Sequence, residues 1–280
     1  MMRYLILLAA LALGACSQAP VKAPANDVAS LGSITDLHSG ATLTPEQLLT
    51  RLAQQPRVIL GEKHDNPYHH QIEQWLVQQL PQRRPQGSVL MEMINPNQQA
   101  QVDKVKQWLQ SDPTVRDGRV AELIAWQPGW KWALYGGVTM AAMRAPYPLW
   151  SANLDRSEIT AFYQQPQFPA GQLSAQPAVR KALEETIRTS HGGQIGADQL
   201  RAMLAIQQQR DRRMAERLLA APTPALLIAG GYHAAKSVGV PLHVRDLQPA
   251  AAPTVLMLAE PGVQVDVNTA DYLWITPSVK

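Results

Sequence analysis

Three of the seven histidines fall within seven residues, in Gly61-Glu62-Lys63-His64-Asp65-Asn66-Pro67-Tyr68-His69-His70, beside two carboxylates. Imidazole and carboxylate groups gathered this closely can bind a metal or position a water, and His can also ligate haem iron. The order is not His-Glu-x-x-His, so the zinc-protease arrangement is unsupported. If a helix opens at Pro67, His70 shares a face with Glu73 and Gln74 at i+3 and i+4. At least one of His69 and His70 then reads as an ordinary first-turn polar residue. A second group is Gly230-Gly231-Tyr232-His233-Ala234, which sets His233 at the start of a helix, where backbone N–H groups can also receive an anion. Glu62, His64, Glu92 and His233 together would suit activation of a water, with or without a metal. No P-loop, no Gly-x-Ser-x-Gly elbow and no strand-linked Gly-x-Gly-x-x-Gly is present, so covalent Ser chemistry and phosphate cradling have no motif.

These groups need elements to hold them. Short apolar strands are expected at 57–61, 88–92, 148–153 and 225–230, alternating with helices at 66–80, from 95, at 177–190 and at 197–220. A Trp-rich helical region is expected over 121–144, and short strands at 242–246, 254–258 and 272–276. Before them, 34–43 reads as a hairpin around Ser39-Gly40, and Thr44-Pro45-Glu46-Gln47 as a capping box opening a helix. The pattern predicts an α/β fold, a mainly parallel sheet flanked by helices, with a helical insertion. In such sheets the ligand cleft lies outside the carboxyl ends of the strands. Those ends carry Glu62 and His64, Glu92, Asn153, and Gly230 to His233. Asn153 is as readily a turn residue as a functional one.

Other candidates lie off the strand ends. His191 precedes Gly192-Gly193 in a helix-ending loop, where it is either a C-terminal cap or a mobile metal ligand. Arg210, Arg213 and Arg217 share one helical face. Trp126, Trp130, Trp132 and Tyr135 crowd one stretch, as a core or as a flat aromatic ligand surface or dimer interface.

The chain has 280 residues, 46% hydrophobic and 17% charged, with a formal net charge of +3. That composition excludes a disordered chain, and without a basic run it gives no support to nucleic-acid binding. Cys16 is the only cysteine, so no intramolecular disulfide or multi-Cys metal site can form. Met1-Met2-Arg3 and the apolar run Tyr4 to Leu13 have the proportions of an export signal, too short to span a bilayer. The run ends in Leu13-Gly14-Ala15-Cys16, which resembles the bacterial lipobox. The expected organisation is a lipoprotein signal peptide at 1–15, lipidation at Cys16, a flexible tether at 16–33 and a single domain at 34–280. Acylation would anchor the chain to the membrane. Ser17 after the Cys favours the outer membrane, facing the periplasm, by the same resemblance.

These residues, in this order, resemble the ChaN-like haem-binding lipoproteins of bacterial haem and iron uptake. That family lies within the superfamily of Tiki, TraB and erythromycin-esterase-like proteins. The matching pieces are the lipobox, Val58 to Asp65, Val89 to Met93, the Trp-rich helix with Tyr135, Trp150 to Arg156, Arg210 to Ala215, and Ile228 to His233. They cover about residues 41–244. The resemblance implies an α/β sheet, haem capture or relay at the envelope, and haem held between two subunits of a homodimer. It also implies partners such as an outer-membrane haem receptor or a periplasmic carrier, and iron ligation by Tyr or His. Tyr is a hard anionic ligand suited to ferric haem. The candidates are Tyr135, Tyr147, Tyr163, Tyr232, His64 and His191; the expected ligand is His191, then Tyr135, with Arg210 near the haem. Tyr232 stands where the family pattern leads one to expect a small or amide residue. The alternative is a hydrolase of the erythromycin-esterase or Tiki type using Glu62, His64, Glu92 and His233. A third reading leaves the strand-end carboxylates as groups that only orient the fold.

Overall fold

A computed structural model describes residues 28–112 and 114–279 of the chain. The export signal, Cys16 and most of the expected tether lie outside the described residues. The last part of that tether is packed: Val28 and Leu31 are buried in the core, ahead of the first strand.

The strands are β1 (Ser33–Asp36), β2 (Thr42–Leu43), β3 (Arg57–Glu62), β4 (Ser88–Met91), β5 (Leu149–Ser151), β6 (Ala225–Gly230), β7 (Thr254–Ala259) and β8 (Tyr272–Ile275). They form one sheet in the order β2-β1-β8-β7-β3-β6-β4-β5. From β8 to β5 all neighbours are parallel, whereas β1 pairs antiparallel with β8 and with β2 at one edge. Every residue of β4 and β6 is buried, which is what a parallel strand covered on both faces requires.

The helices are α1 (Pro45–Leu52), α2 (Pro67–Arg83), α3 (Gln99–Ser111), α4 (Asp117–Leu123), α5 (Trp132–Arg144), α6 (Arg156–Gln164), α7 (Pro177–Ser190), α8 (Ala197–Ala220), α9 (Gly231–Ala234) and α10 (Val240–Leu247). Alternate residues of β3 divide them into two layers. Val58 and Leu60 join one core with α1, α2, α3 and α5, whereas Ile59 joins another with α8, α9 and α10. Helix α7 packs on the outer side of α8 through Leu183, Ile187, Leu200 and Leu204. The helical insertion lies between β5 and β6, as α6, α7 and α8. None of the described helices is long and apolar enough to cross a membrane.

Two local expectations need correction, and one helix is additional. Residues 242–246 form part of α10, not a strand: Leu242 and Val244 are buried as alternation demands, but so are His243 and Pro241, and Pro241 sits in the first helical turn. The Trp-rich region is two helices. Ala125 takes a left-handed φ of 49° and Pro128-Gly129 follows, so α4 stops and α5 begins anew at Trp132. Helix α6 was not foreseen, although Asp155 and Glu158 form its capping box.

Register brings the chemical groups level. Glu62 at the end of β3 pairs with Gly230 at the end of β6, and the Glu92 N–H donates to the Ile228 carbonyl at 3.0 Å. Gly61 lets α9 close against β3: a Cβ there would stand 2.6 Å from the Ala234 Cβ and 2.7 Å from the Met257 Sδ.

Candidate functional site

Two charged arms meet at the carboxyl ends of β3, β4 and β6. The first begins at Glu62, whose carboxylate is buried and whose Oε1 accepts the Tyr135 hydroxyl at 2.9 Å. The same oxygen contacts Nδ1 of His64, which also lies 3.0 Å from the Tyr135 oxygen. Unlike its partners, the His64 side chain is 45% exposed, so its ring forms the mouth of the site. Burial opposes a charge on His64, but the contact with Glu62 and the fields of Glu92 and Glu73 overcome it and raise its pKa to about 9. The other edge of the ring lies on Gly230, where a Cβ would meet His64 Cε1 at 2.8 Å and Nε2 at 2.9 Å. Trp130 meets the ring edge-on, with centroids 4.9 Å apart.

The second arm is His233, held between Asp211 on α8 and Glu92. Its Nδ1 lies 2.6 Å from Asp211 Oδ1 and its Nε2 3.5 Å from Glu92 Oε1. Burial works against the imidazolium, and the two carboxylates outweigh it, so the pKa of His233 is raised. Glu92 is held below its ordinary value against burial by His233, His64 and the Gly230 N–H, which donates to its Oε2 at 2.8 Å. Burial moves Asp211 the other way, upward. Glu62, His64, Glu92 and His233, expected together from the strand ends, are one constellation in space.

Below the first arm lies a pair from α2. His70 Nδ1 is 3.0 Å from Glu73 Oε2, and His70 Nε2 donates to the His64 carbonyl at 3.1 Å. The Tyr135 ring covers His70 at a centroid distance of 4.2 Å. Burial drives Glu73 up to about 7 despite His70, while Glu73 raises His70 against its own burial. His69 is the ordinary polar residue of the two. It accepts the Lys63 N–H at Nδ1, 2.8 Å away, and donates to Thr276 from Nε2 at 2.9 Å. Burial lowers its pKa to about 3.

The remaining candidates are placed differently. Asn153 donates to the Glu92 carbonyl and accepts the Leu154 N–H, the turn role. Tyr135 is 1% exposed, and burial with the surrounding carboxylates raises its pKa far above the ordinary range. Tyr147 is buried and donates to the Val77 carbonyl. Tyr163 is exposed on α6. Tyr232 is 64% exposed on the turn that follows β6. His191 caps α7, its Nδ1 donating to the Ile187 carbonyl at 2.8 Å. The first residue of α8 after that loop is ten residues from Gln207, about 15 Å along the axis. Gln207 is the level at which α8 reaches His233. Arg210 is half-buried beside the second arm, its Nε without a partner among the described residues. Arg213 pairs with Glu158, and Arg217 covers the Trp150 ring.

Asp211 as the partner of His233 was not foreseen. It sits between Arg210 and Arg212 in a charged run, and only its place on the buried stripe Leu204, Gln208, Asp211, Ala215 and Leu218 could have marked it as inward-facing.

The haem-binding uptake family of the Tiki superfamily, ChaN, matches this chain over residues 48–244. Among solved structures, ChaN of Campylobacter jejuni, described for its cofacial haem binding, is 28% identical with a TM-score of 0.81, over 89% of this chain and 98% of that one. An erythromycin esterase, EreC, is 11% identical with a TM-score of 0.48, over 89% of this chain and 84% of that one. The type III effector HopBA1 is also 11% identical, with a TM-score of 0.42, over 84% of this chain and 93% of that one. No curated protein matches. A match spanning the strands β3 to β6, both charged arms and most of the helices makes the chain a member of the haem-binding uptake family of the Tiki superfamily, ChaN.

Proposed function

We propose that this protein captures or relays haem at the bacterial cell envelope, anchored through a lipid on Cys16, and that two copies share the haem. The observation that carries the reading is family membership over residues 48–244 combined with a strand-end mouth that suits a flat, anionic ligand. His64 offers a half-exposed ring, Trp130 an aromatic edge and Tyr232 an exposed phenol. The Arg210 Nε, buried and without a partner among the described residues, suits a propionate. Haem, when bound, would supply a ferric iron open to a protein ligand, and Tyr232 and His64 are the residues that would hold it.

The iron ligand is assigned by what each side chain is free to do. Tyr135 and Tyr147 have their hydroxyls engaged inside the core, and ionising Tyr135 beside buried carboxylates is strongly disfavoured. Tyr232 carries an accessible phenol, and His64 an Nε2 on a ring whose Nδ1 is fixed by Glu62. We assign Tyr232 as the ligand, with His64 as the imidazole beside it. The cofacial haem described for ChaN of Campylobacter jejuni supports sharing between two copies, because one open porphyrin face would otherwise meet water. Transfer to a periplasmic carrier, or receipt from an outer-membrane receptor, is consistent with so open a mouth. Size-exclusion chromatography with and without ferric haem tests the sharing. The mass should double with haem; an unchanged mass would rule out the shared site. Hydrolysis by Glu62, His64, Glu92 and His233 is not favoured by this family membership.

A further inference from the structure

The buried pair His70 and Glu73 needs a proton or a cation between its facing atoms. The His64 carbonyl only accepts, so the His70 Nε2 facing it at 3.1 Å carries the hydrogen. In the neutral ring, Nδ1 then turns its lone pair toward Glu73 Oε2, another acceptor, at 3.0 Å. Both residues are buried, with Glu73 at 0% exposure. Glu73 Oε1 and Glu62 Oε2 are also buried, and neither has a hydrogen-bond partner among the described residues. Bare carboxylate oxygens buried away from bulk solvent are costly, so an electropositive centre belongs among these atoms. One proton between Nδ1 and Oε2 would satisfy that pair and leave Glu62 Oε2 and Glu73 Oε1 bare. A metal ion can engage all three side chains.

We propose that Glu62, His70 and Glu73 form a second, non-haem site for one divalent transition cation of the zinc or manganese type, beneath Tyr135. A donor atom from each of the three lies within 4.8 Å of the others. The 3.0 Å between Nδ1 and Oε2 is already the spacing of neighbouring ligands on one ion, about 3.0–3.4 Å for bonds of about 2.1 Å. The terminal carboxylate torsion of a Glu is broad, so drawing in the third donor needs no backbone change. The Nε2–H donation to the His64 carbonyl is the outer contact that commonly fixes a metal-bound imidazole. Glu62 would divide its labour: Oε1 stays with Tyr135 and His64, and Oε2 binds the ion. One imidazole and two carboxylates leave an open position on the ion. The site uses none of His64, Glu92 or His233 as a ligand and does not depend on haem.

The test uses purified, haem-free protein stripped with a chelator and then given Zn²⁺ or Mn²⁺ alone. Metal content after desalting, calorimetry and thermal melting are the readouts. Wild type should retain about one equivalent and melt higher with metal, reversibly on chelation. Glu73→Gln and His70→Gln should each weaken binding at least about tenfold, while His191→Ala, which alters the half-buried cap of α7, should leave it unchanged. If Glu73→Gln does not fold, X-ray absorption of zinc-loaded wild type should show one imidazole among oxygen ligands. Retention of no stoichiometric metal, or equal affinity in wild type and Glu73→Gln, would overturn the proposal and leave a shared proton in its place.

Discussion

The Glu62 carboxylate holds Nδ1 of His64 while the far edge of that ring rests on the bare backbone of Gly230. One residue thus fixes the tautomer and charge of the imidazole, and the absence of a side chain on the other provides its seat. The pairing joins the ends of β3 and β6, which lie side by side in register. It therefore couples sheet geometry to the chemistry of the mouth.

Gly230→Ala should unseat His64. The added methyl would fall under 3.0 Å from two ring atoms, and overpacking of this kind costs about 1–3 kcal/mol unless the ring swings out. His64 is able to swing, being half-exposed, so the expected result is a modest fall in melting temperature with a clear loss of haem affinity. Equal haem affinity in this variant and wild type would show that the ring position is irrelevant to the ligand.

Stability should decline on the alkaline side. The folded pKa of His64 is raised from 6.5 to about 9, so its protonated form is favoured by folding. That contribution is complete below pH 6.5 and is lost as pH rises through about 9. Thermal melts from about pH 7 to about pH 10 should fall for wild type, and the slope should be shallower in His64→Gln. Because the ring is nearly half in water, the effect is small. Parallel slopes would remove Glu62 as the cause.

The acid side has a different origin. His69 and His243 are buried, and burial lowers both to about 3 from 6.5, so each contributes stability above pH 6.5 that is lost as pH falls toward 3. Both ring nitrogens of His243 lack partners among the described residues. Replacing it with Leu should therefore stabilise the fold by about 1 kcal/mol and shift acid unfolding to lower pH. A lower melting temperature for His243→Leu at neutral pH would mean that its ring nitrogens are satisfied in solution.

The sheet was legible because its strands are nearly unbroken apolar runs. Ala225 to Gly230 could be bounded to the residue, and Thr44 with Gln47 marked α1 by local hydrogen bonding alone. The strand-end rule then gathered Glu62, His64, Glu92 and His233 without any knowledge of contacts. What stayed hidden depends on the third dimension. Residues 242–246 alternate like a strand, and only the two-sided burial of α10 between α8 and the sheet makes them helical. Asp211 looked like part of a solvated charge run, because nothing local announces that α8 turns it toward His233. Glu73 was visible as an i+3 neighbour of His70, yet the pair is closed over by Tyr135 of α5, whose ring lies on His70 from 65 residues further along the chain.

Tyr135→Phe separates the buried tyrosine from the exposed one. Loss of the hydroxyl removes one donor to Glu62, at a cost of about 1 kcal/mol, and should leave the iron ligand untouched. Chemical denaturation and the haem spectrum check the two halves of this expectation. A changed charge-transfer band in this variant would transfer the ligand role from Tyr232 to Tyr135.

The most direct test of the account is a titration with ferric haem followed by visible absorption, for wild type, Tyr232→Phe and His64→Ala. Wild type should give a saturable Soret band with a tyrosinate charge-transfer feature, Tyr232→Phe should lose that feature, and His64→Ala should keep it with weaker binding. A featureless, non-saturating spectrum for wild type would contradict haem binding at this site.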